Sequence, residues 1–157
     1  SDYPLAVGEE AIYNFINATS VPLHIATQDG TVYQMFILPS AGNLLPNNTS
    51  YSGQFVLGDW GYNSDGSTTG SSVLNIKVSD AFQIGNTSGT GSVLAIVYNF
   101  TNKKNITYYH NANFSSYPYS YRTGASYWKD TTTPWTSLGT IIFSQATSGT
   151  ILIRRLL

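Results

Sequence analysis

Cysteine is absent from the 157 residues, so neither disulfides nor thiol chemistry is open to this chain. Charge is scarce: 10% of residues are Asp, Glu, Lys or Arg, against about 25% in ordinary globular proteins. With a net charge of −1 there is no long-range field to gather nucleic acid or anionic lipid. Lysine and arginine cluster no further than Lys103-Lys104 and Arg154-Arg155, which read as solvated or edge charges. No apolar run reaches the roughly 20 residues that a helix needs to cross a bilayer, so no membrane span is expected and a pilin with a long apolar leading helix is disfavoured. Helical periodicity never persists beyond two turns. The best stretch, Val7 to Ile16, turns to β-type residues in its second half.

Ser, Thr, Asn and Gly take the place of the missing charges, and tyrosine is abundant at 12. Short runs alternate apolar with polar residues, and turn residues interrupt them at sandwich-like spacing. Strands are expected near 3–7, 11–17, 21–28, 31–38, 52–57, 72–79, 92–100, 104–110, 138–145 and 150–156. This pattern predicts an all-β fold, an antiparallel β-sandwich of immunoglobulin-like or jelly-roll-like type with about nine or ten strands. Asp29-Gly30 predicts a two-residue hairpin turn, and Thr147-Ser148-Gly149 a second hairpin. Polar loops are expected at 40–51, 60–71 and 110–137, the last long enough to contain short edge strands. The chain divides into an extended N-terminal tail, 1–16, and a sandwich domain, 17–157.

Seven Asn-X-Ser/Thr triplets are present, at Asn17, Asn47, Asn48, Asn86, Asn99, Asn105 and Asn113. With 13 Asn and 37 Ser plus Thr, chance supplies about three. The excess points to an N-glycosylated, secreted protein of the extracellular surface. Asn47 and Asn48 are adjacent, so one glycan at most is expected there. Asn105 shares a strand face with Thr107 and Tyr109, while Ile106 and Tyr108 take the other. The start at Ser1 rather than Met reads as a cleaved export product.

Catalytic patterns are missing. His24 and His110 have no Gly-X-Ser-X-Gly elbow to serve. Glu9, Glu10, Asp59, Asp65, Asp80 and Asp130 form no pair of the kind glycoside hydrolysis requires. Asn63-Ser-Asp65-Gly66 resembles part of a calcium loop, but Gly61 and Ser72 stand where acidic ligands belong. No enzyme activity, cofactor or metal is expected. The aromatic stretch from Tyr108 to Trp135 reads as a contact surface, for a neighbouring subunit or for carbohydrate. Ser1–Val7, with Tyr3, Pro4, Leu5 and Val7, reads as a ribbon able to complete another sheet, and Ile12, Tyr13 and Phe15 extend that candidate subunit interface.

In its Ser1–Val7 tail, absent cysteine, few charges and dense acceptors at Asn86, Asn99, Asn105 and Asn113, the chain resembles the sugar-coated subunits of archaeal extracellular filaments, the threads and donor-strand pili of thermoacidophiles. The resemblance implies an immunoglobulin-like subunit whose N-terminal strand fills a groove in the next copy. The expected function is therefore a structural subunit of a homopolymer assembled by donor-strand complementation. A carbohydrate- or host-surface-binding module and an archaeal virus coat or spike protein are the alternatives.

Overall fold

The computed structural model describes residues 1–40, 49–52, 55–62, 68–76, 81–85, 90–112, 120–128 and 131–157; side-chain surroundings are described in 1–40, 91–109 and 131–157, and at Thr123 and Ala125. All regular structure among these residues is β, with no helix. Twelve strands follow in chain order: β1 Tyr3–Pro4, β2 Glu10–Pro22, β3 Ile25–Ala26, β4 Thr31–Pro39, β5 Thr49–Ser52, β6 Phe55–Tyr62, β7 Thr68–Ile76, β8 Ala81–Gly85, β9 Thr90–Asn99, β10 Asn105–Ala112, β11 Ser120–Trp128 and β12 Thr140–Arg155.

The body of the fold is an antiparallel sheet in the order β2-β12-β4-β9-β10. Its pairing continues from β10 through β11 and β6 to β7, and from β12 through β5 to β8. β1 and β3 make a small separate parallel pair. Alternation explains why the central strands form. On β4, Thr31, Tyr33, Met35 and Ile37 point inward and are buried. Val93, Ala95 and Val97 on β9, and Ile106 and Tyr108 on β10, do the same. Leu5, Leu23, Ile25, Trp135 and Leu138 close the core from the connecting segments. Each aliphatic side chain buried this way contributes about 1.5–3 kcal/mol. The face assignment at β10 agrees with the alternation expected from sequence: Ile106 and Tyr108 are inside, Thr107 and Tyr109 outside.

Three local expectations are corrected. Strands expected at 138–145 and 150–156 are one strand, β12, so Thr147-Ser148-Gly149 is not a hairpin turn. It is a crossing: a Cβ on Gly149 would lie 2.2 Å from the Leu38 carbonyl oxygen, and glycine is what allows β12 to run against β4. β2 absorbs the matching irregularity. The β2–β12 register shifts between Ile142 and Gly149, and Asn17 sits there in the left-handed region at φ 48° with its N–H donated to Ser148 Oγ at 2.9 Å. Second, Asp29-Gly30 does turn the chain, but β3 pairs with β1 and not with β4. Only Gly30 has a positive φ, whereas the expected hairpin turn needs two such residues. Third, the 110–137 segment does contain a strand, β11, but it is neither short nor at an edge: it runs for nine residues and pairs with both β10 and β6.

A candidate assembly site at the leading segment and the β2 edge

The leading segment is held beside the open end of the sheet by a small set of bonds. Tyr3 N–H donates to the His24 carbonyl at 3.1 Å where β1 meets β3. The Asp2 carboxylate accepts from Ser137 Oγ at 2.5 Å and lies 3.7 Å from His24 Nδ1. Leu5 enters the core and is 1% exposed, while the Leu5 carbonyl accepts from Arg155 Nη1 at 2.8 Å. The chain then turns over Ala6–Glu9, closed by Glu9 N–H donating to the Ala6 carbonyl, and enters β2. Arg155 ties this turn to β12 through its own backbone, donating to the Glu9 carbonyl and accepting from Gly8 N–H.

β2 is paired with β12 along one edge only among the described residues. Its inward residues Ala11 and Phe15 are buried, with Phe15 stacked on Phe143 at a centroid distance of 5.1 Å. Its outward residues Ile12 and Ile16 are 60% and 86% exposed. The candidate interface residues therefore separate into two groups. Leu5 and Phe15 are spent inside this chain and Tyr13 is half-buried, whereas Tyr3, Val7 and Ile12 are exposed. The expected tail–domain division after residue 16 falls within β2.

Tyr13 carries the clearest perturbed titration. Its hydroxyl donates to the Leu23 carbonyl, and its pKa is pushed up to about 12 by desolvation first and by the charges of Tyr3 and Asp2 second. An unfolded chain ionises this phenol near 10.0. From about pH 10 to 12 the unfolded state therefore binds fewer protons than the native state, and stability falls as pH rises through that window. The contribution is complete below it. Denaturant unfolding of the Tyr13→Phe variant is expected to show a shallower decline over this range than the parent chain; equal declines would remove Tyr13 as the source.

The acceptor asparagines fare differently. Asn17 is exposed and Asn105 half-buried, both at the surface. Asn99 is not available: it is 0% exposed, and its Nδ2 donates to Thr27 Oγ1, the Gln28 carbonyl and the Trp135 carbonyl at 2.8, 3.0 and 2.9 Å. A glycan on that nitrogen would displace all three partners. Asn47, Asn48, Asn86 and Asn113 lie outside the described residues.

Ser137, Asp2 and His24 do meet, but with the carboxylate in the middle, so the Ser137 hydroxyl donates to Asp2 rather than to an imidazole base. Glu9 and Glu10 are exposed; the side chain of Asp59, on β6, and Asp65, Asp80 and Asp130 lie outside what is described. Among the described residues no three His, Asp or Glu side chains gather as metal ligands. Of the aromatic stretch, Tyr108 and Trp135 are buried core residues and Tyr109 is exposed.

Lys104, expected as a solvated or edge charge, is fully buried, its Nζ donating to the Thr133 carbonyl. Its place two residues before Ile106 on the inward face was the signal available for it. Arg155, which clasps the leading segment, had none. No helix among the described residues is long and apolar enough to cross a membrane. No protein-family model, curated protein or solved structure matches the chain.

Proposed function

We propose that this chain is a structural subunit of an extracellular, N-glycosylated filament, a homopolymer in which the leading segment Ser1–Val7 of one copy docks on the next. The observation that carries this reading is a short, separable segment in a fold whose β2 strand has an outer edge that is unpaired among the described residues. Leu5 acts as a plug for the core, yet the segment joins the body by only a few bonds and leaves it through the Ala6–Glu9 turn. Opening that turn would let the same plug, the same Arg155 clasp and the same Asp2–Ser137 bond form between two copies, an exchange that costs little because each contact is replaced by its equal. The outer edge of β2 offers backbone donors and acceptors for a further strand. Under this reading the strand ladders close as a two-layer, immunoglobulin-like sandwich, and the donor is Ser1–Val7, since Glu10–Phe15 are already committed to β12. Glycans at Asn17 and Asn105 would lie on the surface of the polymer.

Deleting Ser1–Val7 is expected to abolish filaments, leaving monomers destabilised by about 2–5 kcal/mol for the lost Leu5 side chain. A synthetic Ser1–Val7 peptide added to them should raise the melting temperature. Electron microscopy and calorimetry read the two effects. Normal filaments after the deletion would refute the assignment of the donor.

A further inference from the structure

The free edge of β2 lacks the guards that usually keep strand edges apart, which are charge and proline. From Ala11 to Val21 there is no Asp, Glu, Lys, Arg or Pro. The direction of its backbone groups follows from β12. Arg155 bonds toward β2 through both its N–H and its carbonyl. Alternation along β12 turns Ile153 and Ile151 the same way, onto their partners Ala11 and Tyr13. The N–H and C=O groups of Ile12, Asn14 and Ile16 therefore point away from the sheet, and no strand meets them among the described residues. Ile16, at 86%, is the most exposed large hydrophobic side chain among those residues, and Ile12 beside it is 60% exposed.

We infer that this edge pairs antiparallel with the same edge of a second copy, about a two-fold axis through Asn14. A row of free N–H and C=O groups is satisfied by an extended backbone, so the occupant is a strand. The sequence of β2 selects which strand. Ile12-Tyr13-Asn14-Phe15-Ile16 reads alike in both directions by side-chain class: aliphatic, aromatic, amide, aromatic, aliphatic. Antiparallel two-fold pairing uses such a palindrome, because each residue then meets its mirror position. Centred on Asn14, it sets Ile12 opposite Ile16 of the second copy, Tyr13 opposite Phe15 and Asn14 opposite Asn14. The exposed isoleucines then cover one another, a favourable cross-strand pair made twice. The outward groups of Ile12, Asn14 and Ile16 supply about six backbone hydrogen bonds between the two chains. Charge does not oppose the contact: Glu10 falls opposite Ala18, beyond the last bonded pair. The left-handed Asn17 ends the ladder on each side, and a glycan there would stand just past it. The leading segment of another copy is a poorer occupant, since Pro4 has no N–H to give.

This contact is separate from the exchange of the leading segment: one joins copies edge to edge, the other head to tail. Because the chain has no cysteine, an introduced thiol reports its neighbour directly. In the full-length protein Asn14→Cys lies on the axis, opposite its own copy at a Cβ separation of about 5 Å. A short bifunctional thiol reagent is expected to join it into covalent dimers at least about tenfold faster than Ser20→Cys, an exposed position on the same strand that the pairing leaves far from its own copy. Adding Ile16→Lys to Asn14→Cys is expected to slow the cross-link at least about tenfold, because the ammonium is then set against Ile12 of the second copy. The melting temperature should not change, since the Ile16 side chain is in solvent within one chain. Equal rates for Asn14→Cys and Ser20→Cys would overturn the inference, as would an Asn14→Cys rate untouched by Ile16→Lys. Fast Asn14→Cys cross-linking that Ile16→Lys abolishes, together with normal filaments after deletion of Ser1–Val7, would uphold the edge pairing while removing the head-to-tail donor.

Discussion

Replacing Asn99 with alanine is expected to lower stability by about 3 kcal/mol, a fall in melting temperature of roughly 6–12 °C for a domain of this size. The reason lies in what its amide nitrogen holds together. The Asn99 Nδ2 donates to Thr27 Oγ1, whose own hydroxyl meets Thr31 Oγ1 at 3.0 Å, and Thr31 Oγ1 donates to the Gln28 carbonyl at 2.7 Å. The Gln28 and Trp135 carbonyls accept from the same nitrogen. Three separate pieces of chain, the turn before β4, the end of β9 and the segment leading to β12, are thus joined at one fully buried side chain. Alanine removes three hydrogen bonds at once in a site that water reaches poorly, where solvent does not replace them. Thr101→Ala separates this role from glycosylation. It abolishes the same acceptor triplet without touching the Asn99 amide, so stability should match the parent chain and intact mass should differ only by the substitution itself. A mass loss of one glycan in Thr101→Ala would show that Asn99 is modified after all.

Gly149→Ala is expected to be comparably severe, costing about 2–3 kcal/mol. The added methyl would sit 2.2 Å from the Leu38 carbonyl oxygen, 3.0 Å from the Pro39 Cα and 3.1 Å from the Leu38 carbonyl carbon. All three are backbone atoms, so no rotamer change relieves the overlap. β4 and β12 must separate at that point, and the ladder from Gly149↔Pro39 to Arg155↔Tyr33 is strained from its end. Denaturant unfolding, with the midpoint shift converted through an unchanged slope, measures the loss. Ser148→Ala tests the neighbouring bond to the Asn17 amide and should cost only about 1 kcal/mol.

These two positions also show where the sequence was legible. β4 and β9 were visible because inward and outward residues alternate over seven positions, and β10 because they alternate from Lys104 to Tyr109; a half-buried strand needs nothing else to be recognised. Gly149 was misread for a physical reason: Thr-Ser-Gly is the composition of a turn and equally of a strand that another backbone crosses closely, and which one applies depends on a partner more than a hundred residues earlier. The hairpin expected around Asp29-Gly30 failed in the same way. The turn chemistry was local and correct, but Leu23, Ile25 and Thr27 were captured by β1 and by the segment before β12. Asn99 has the triplet of an exposed acceptor, and nothing within it marks the three partners, two of them near residue 28 and one at 135, that draw its side chain inside. Of the candidate site, the apolar leading segment was legible from Tyr3, Leu5 and Val7. Its anchor was not, because Arg155 meets Leu5 across nearly the whole chain.

The proposed exchange of the leading segment has a direct readout. Asp2 and Ser137 touch through their side chains, and the chain contains no other thiol to confuse a cross-link. Oxidised assemblies of the Asp2→Cys/Ser137→Cys double variant, run on a denaturing gel without reductant, should give a ladder of covalent multimers, each leading segment bonded to the next copy. A single monomer band, with the disulfide closed inside each chain while the filaments remain intact, would contradict assembly through Ser1–Val7.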